Sequence, residues 1–433
     1  MRLLILLATT TMLAACGGAG PQSVGSSAPP TGGAGGGTGS ETTHTFVDPT
    51  EPKTYKAVGS SHSYRNDAGP SAMSFDSNGI PLRNPDGSYQ NRQASQRSQL
   101  YQGDATTVRN SSLTIAYNPR DAIFNVSFSN NLAGTSAASR FQDPLHRTNF
   151  GGVIEPQLGT PNLGSAQWNI GGMNYLESGT SNNISFDPAF PGEFVFLLDD
   201  PKASGSYDAT TFFYQTPGTD TRYVTFAGYL RNRATVTARD FVDSTGSVVG
   251  KHPGQVNTFE RGAFAYGELS ANSSVPTTGT GTFEGTMLAS MVFNDQPDTT
   301  GNTDTYFQWL AGRATTTVNF GANTFSLSLD GRTGAPMLDG TSGQHSVKEN
   351  ARFFANGGGD INLVNAGGFF GQFNEAWFIN PDNRRLDLVI AGSSIDGAFY
   401  GPKAEEIGGG YRIVGGTPDQ RIDILGTFVG KRP

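Results

Sequence analysis

A single cysteine, Cys16, serves all 433 residues, so no disulfide can form within the folded chain and its stability must come from core packing and strand pairing. Charge is scarce as well. Only 15% of residues are Asp, Glu, Lys or Arg, and 37 acids against 29 bases leave a formal net charge of −8. A nucleic-acid surface needs a basic face, and this balance excludes a broad one. The five histidines (His44, His62, His146, His252 and His345) are scattered, with no HxxxH or HExxH pairing. There is no GxSxG elbow and no phosphate-binding loop, so the chain is read as a non-enzyme. No stretch sustains a helical period, and no apolar run is long enough to span a bilayer.

What the chain has in abundance is glycine, at 58 residues, and phenylalanine, at 29. With β-branched residues recurring after the first hundred positions, this profile predicts an all-β chain of many short strands joined by turns. At the N-terminus, Met1-Arg2 precedes an apolar run from Leu3 to Leu13 that ends in Ala14-Ala15-Cys16. The run is too short for a transmembrane helix and reads as a signal peptide over residues 1–15. The tetrapeptide ending at Cys16 resembles a bacterial lipobox, which implies a lipid-attached Cys16 and a membrane anchored by lipid rather than spanned. Gly17 in place of an acid resembles an outer-membrane sorting signal. An ordinary secretory signal with an unmodified cysteine is the other reading.

Residues 16–40 are almost wholly Gly, Ala, Ser, Thr and Pro and cannot bury enough apolar area to order themselves, so they read as a flexible tether. Residues 41–104 stay polar and read as partly ordered, with Tyr55, Phe75, Ile80 and Leu82 as anchors. From 105 to 258 strand signals set in: a hairpin at 113–117 and 123–128 across an Asn118-Pro119-Arg120-Asp121 turn, then 193–198, 212–215, 222–230 and 234–239. Residues 259–433 form a second β-rich unit. Within it, Phe325, Leu327 and Leu329 share one strand face and Ser326 and Ser328 the other, so one side is buried.

Several constellations invite chemistry and have plainer readings. Gly279-Thr280-Gly281-Thr282-Phe283-Glu284-Gly285 has the wrong spacing for a dinucleotide loop and reads as a hairpin. Asp295, Asp298 and Asp304 match no EF-hand and read as a solvated loop. Glu405 and Glu406 form an acid pair, but beside Gly401-Pro402 and Gly408-Gly409-Gly410 they read as structural, one of them accepting backbone or arginine hydrogen bonds near barrel closure. Phe212, Phe213 and Tyr214 are the candidate ligand-binding residues. If exposed beside their loop they suit a protein-docking anchor, whereas a buried strand is the stronger reading.

Three stretches carry a family resemblance. Gly397-Ala398-Phe399-Tyr400-Gly401-Pro402-Lys403-Ala404-Glu405-Glu406-Ile407-Gly408-Gly409 resembles the G-x-FYGP-x-A-x-E-x-GG signature of the β-barrel domain in transferrin-binding protein B and related surface lipoproteins. Phe264-Ala265-Tyr266-Gly267 through Gly285 resembles the entry into that barrel, with Phe283 where Tyr is usual. Gly312–Gly321, Thr324–Gly331 and Ile422–Arg432 resemble an inner hairpin and the final strand. The resemblance implies a handle-like domain followed by a small soluble antiparallel barrel of about eight strands. Transferrin-binding protein B has two handle–barrel lobes, and this length suits one. It further implies an outer-membrane, surface-exposed protein that binds a host or environmental protein, an iron or haem carrier, and works with a TonB-dependent transporter. No cofactor is expected, with haem capture by a histidine left open. A structural or adhesive lipoprotein without a transport role is the alternative.

Overall fold

The computed structural model describes residues 49–68, 72–73, 91–92, 104–107, 113–119, 123–130, 135–142, 173–182, 185–186, 194–195, 205–216, 218–242, 247–294, 305–334, 337–338, 346–364, 367–417 and 420–433. The expected signal peptide and tether, with Cys16, lie outside the described residues. Strands occur in the order β1 (Lys53–Ala68), β2 (Ala72–Met73), β3 (Asn91–Arg92), β4 (Asp104–Thr107), β5 (Leu113–Asn118), β6 (Ile123–Asn130), β7 (Thr135–Gln142), β8 (Met173–Asn182), β9 (Ser185–Phe186), β10 (Phe194–Val195), β11 (Gly205–Gln215), β12 (Val224–Val242) and β13 (Val248–Gly267). After a short 3-10 turn at Asn272–Ser274 come β14 (Thr280–Asn294), β15 (Thr305–Asn319), β16 (Thr324–Thr333), β17 (Met337–Leu338), β18 (Arg352–Asn362), β19 (Gly368–Ile379), β20 (Arg385–Asp387), β21 (Val389–Tyr400), β22 (Glu406–Thr417) and β23 (Gln420–Lys431). The protein is all-β, in two units.

The first unit, the handle, is a nine-stranded sheet in the order β7-β6-β5-β1-β13-β12-β11-β8, with β4 beside β1. Its core gathers Phe124, Phe141, Phe212, Tyr214, Phe264 and Tyr266. The expected hairpin of β5 and β6 is present. Two expectations need correction. The stretches 222–230 and 234–239 are one strand, β12, because it pairs with β13 almost throughout. More consequentially, the segment 41–104 supplies β1, a central strand of the handle paired with both β5 and β13. Its sequence hid this because both faces are covered at close range. A Cβ on Gly59 would meet the Ala263 carbonyl oxygen at 2.2 Å, so the positions that make β1 central are too small to show an alternating apolar pattern.

The second unit closes on itself. β14 pairs with β15 on one side and with β23 on the other, sealing an eight-stranded antiparallel ring of β14, β23, β22, β21, β19, β18, β16 and β15. β16 shows why it curls around an apolar interior: its residues alternate exposed and buried from Thr324 to Thr333, with Phe325, Leu327 and Leu329 inward as expected. Phe283, Met287, Phe353, Phe378, Tyr411 and Phe428 fill the interior with them. The barrel does not begin near 259 as expected. β13 runs to Gly267 within the handle sheet, so the Phe264–Gly267 motif sends its aromatics into the handle core and straddles the junction.

Candidate functional site: the seam between handle and barrel

The outer face of β1, β12 and β13 lies against the outer face of β14, β15, β21, β22 and β23. Val58, Phe213 and Phe226 from the handle pack on Leu288, Trp309 and Tyr400 from the barrel. Phe213 meets Trp309 edge-on, with centroids 5.2 Å apart at 89°. Backbones almost touch. A Cβ on Gly410 would stand 2.4 Å from the Gly59 Cα, and one on Gly408 would stand 2.8 Å from the Ala265 Cβ. Gly408 of the signature and Gly410 just beyond it are therefore small because the handle presses on them.

Charges are buried in this contact. Arg261 of β13 lies 2.5 Å from Asp423 of β23, and Asp423 also accepts from Arg412 of β22 at 2.6 Å. Arg261 additionally donates to the Ser290 and Asp423 backbone carbonyls at 3.1 and 3.3 Å. Burial alone would push the Asp423 carboxyl up, but the Arg261 and Arg412 guanidiniums reverse this and hold it well below the ordinary carboxylate range. Burial also lowers Arg261, and Asp423 opposes that shift.

The signature acids divide the labour. Glu406 crosses the seam: its Oε1 accepts from the Arg222 backbone N–H at 2.6 Å, and its Oε2 from those of Tyr223 and Val224 at 2.7 and 3.1 Å. Burial raises its carboxyl, and these three hydrogen bonds with the Lys431 charge partly offset the rise. Glu405 stays in the barrel and accepts from the Lys403 N–H at 2.8 Å. The structural role expected of the pair is met, although Glu406 joins two domains rather than closing the barrel. The turn from β21 to β22 that precedes both acids needs special backbone. Gly401 has φ +88° against the Tyr223 ring, and its carbonyl accepts from the Ser270 hydroxyl at 2.6 Å.

The aromatic candidates are not exposed. Phe212, Phe213 and Tyr214 are 0%, 2% and 5% accessible. Phe212 stacks on Phe141 and Tyr214 leans on Phe124, both in the handle core, while Phe213 lies in the seam. A docking anchor needs an open ring, so that role is corrected to a packing one. His62 is buried on β1, close enough to Asp423 for its charge to act there. His252 falls in β13. His44, His146, His345, Asp295, Asp298 and Asp304 lie outside the described residues. Among the described residues, no group of three or more His, Cys, Asp and Glu is placed to hold a metal.

Sequence reasoning missed the Arg261–Asp423–Arg412 cluster, whose one outward sign is a lone acid within the apolar run Ile422-Asp423-Ile424-Leu425. It also missed a cross-strand stack on the outer barrel wall. Phe354 of β18 stacks on Trp377 of β19 at 5.2 Å, with Arg352 over the first ring and Arg385 over the second, each at 4.6 Å.

Residues 275–432 match the family model described as the C-lobe and N-lobe beta barrels of Tf-binding protein B. No curated protein matches the chain. Among solved structures, transferrin-binding protein B of Haemophilus parasuis Hp5 is 12% identical, covering 89% of this chain and 76% of that one at a TM-score of 0.26. The isotype 1 protein of serogroup B Neisseria meningitidis is 11% identical, covering 89% and 77% at 0.22. That of Actinobacillus pleuropneumoniae H49 is 16% identical, covering 51% and 80% at 0.20. The matched stretch folds as a closed eight-stranded ring that carries the signature at its seam, so the C-terminal unit of this chain is similar to the β-barrels of transferrin-binding protein B.

Proposed function

We propose that this protein is a non-enzymatic surface lipoprotein that captures a protein ligand, an iron or haem carrier, outside the cell. In this reading an acyl group on Cys16 ties it to the outer membrane, residues 16–40 let it search, and the cargo passes to a TonB-dependent transporter. The observation that carries the reading is the family match over residues 275–432, to barrels of a protein named for binding transferrin. The apolar filling of the barrel supports it: a ring packed with side chains recognises through its outer wall and loops, as an interfacial binder does.

The test is a pull-down from host fluid with the tagged mature chain, read by mass spectrometry. Enrichment of an iron- or haem-carrying protein is expected, and its absence across fluids from the natural surroundings would leave adhesion as the better reading. In parallel, Cys16→Ser should shift the protein from the outer-membrane fraction to the soluble one. An absorbance scan after haem addition separates capture of free haem, which gives a Soret shift, from capture of a protein carrier.

A further inference from the structure

We infer that Glu406 is an interdomain latch, a positioning residue that fixes residues 218–223 of the handle, which lead into β12, on the barrel and holds their shape. The loop is bound from both sides. On the handle side, Asp220 accepts from the Gln215 amide at 2.6 Å, the Thr219 hydroxyl donates to the Thr216 carbonyl at 2.8 Å, and the Thr221 hydroxyl donates to the Val224 carbonyl. On the barrel side, the Thr286 hydroxyl of β14 donates to Asp220 at 2.8 Å, and Glu406 takes three successive backbone N–H groups, those of Arg222, Tyr223 and Val224.

One carboxylate thus satisfies the donors at the start of β12, which a strand entering from a loop would otherwise leave to water. Handle and barrel share these bonds, so docking of the two units adds the four that the barrel supplies. Thr216, Gly218, Thr219 and Arg222 remain exposed at its tip, which Gly218 turns at φ +82° into open space. The consequence is a surface loop whose shape is set by a residue of another domain. The acid of the barrel signature therefore governs the geometry of the handle.

Trypsin reads this directly, because the exposed Arg222 precedes the peptide N–H that Glu406 holds. In the full chain under native conditions, Glu406→Gln replaces one acceptor oxygen by an NH2 group facing backbone donors. Cleavage after Arg222 should rise by about tenfold or more, while cleavage after the exposed Arg385 on β20 stays at the wild-type rate. Thr286→Ala, which removes only the barrel's bond to Asp220, should give a smaller rise at the same bond. Hydrogen exchange on the unaltered protein needs no variant: the amides of Arg222, Tyr223 and Val224 should exchange as slowly as those of the barrel strands. Unchanged cleavage after Arg222 in Glu406→Gln overturns the latch. So does an equal rise at Arg385, which would mean general loosening, or fast exchange of the three amides in the wild type.

Discussion

Arg261, on the last strand of the handle, and Asp423, on the last strand of the barrel, approach to 2.5 Å with neither side chain exposed at all. Two charges removed from water in this way favour docking only as a pair. Separating the units while they stay folded would leave each to be rehydrated, and deleting one strands the other. The pair thus makes the association specific more than it makes it strong.

Asp423→Asn should therefore cost about 3–5 kcal/mol, since it leaves Arg261 buried without a counter-charge. Urea unfolding at pH 7 measures it. A companion Arg261→Met, Arg412→Met, Asp423→Leu triple variant should recover most of the loss, because apolar groups of similar size can fill the same space.

The two seam carboxyls should respond to pH in opposite senses. Asp423 is held below its ordinary value of 3.8, so its contribution is present above that pH and lost as the pH falls through the folded value. The Asp423→Asn penalty should be flat from neutral down to mildly acid pH and shrink only in stronger acid. Glu406 is raised above 4.5, so the stability tied to its protonated form is present below that pH and lost as the pH rises through the folded value. The Glu406→Gln penalty should accordingly fall as the pH is raised from about 4.5 towards neutral. Paired urea titrations across this range check both slopes.

Gly410→Ala should force the units apart, because its Cβ would stand 2.4 Å from the Gly59 Cα. A loss of about 1–3 kcal/mol is expected, with handle and barrel melting as separate calorimetric transitions. Gly218→Ala is the control: its φ of +82° carries a backbone cost of about 1 kcal/mol, but nothing lies within 4 Å, so a single transition should persist.

Phe213→Ala should cost about 3–5 kcal/mol as a cavity in the seam and should shift the emission of Trp309, whose ring it meets edge-on. Phe212→Ala should cost a similar amount within the handle core and leave Trp309 unaltered. An unchanged Trp309 emission in Phe213→Ala would show that the rings do not meet in solution.

The barrel was legible in the sequence because its strands have one apolar and one polar face. In Phe325-Ser326-Leu327-Ser328-Leu329 the period alone tells which side is buried. The handle was legible at β5 and β6 for the same reason, and illegible at β1. Ala57-Val58-Gly59-Ser60-Ser61-His62-Ser63 is buried on both faces yet looks polar and small, since close backbone approach selects for small residues and leaves no periodic signal. The seam was invisible for a further reason. Arg261, Arg412 and Asp423 look like ordinary strand charges until residues some 150 positions apart are brought together (Arg261 and Asp423 are separated by 162). The acid pair at 405–406 could be read as structural from its glycine neighbours, but its partners at 222–224 lie in another domain, and local sequence holds no trace of them.

The strand that closes the ring, β23, also carries the Asp423 of the seam. Both the circle and its attachment to the handle therefore depend on Gln420–Lys431. A product cut before Gln420 lacks the stave that would shut the ring and the counter-charge of Arg261 together, so closure of the barrel and its docking to the handle stand or fall as one.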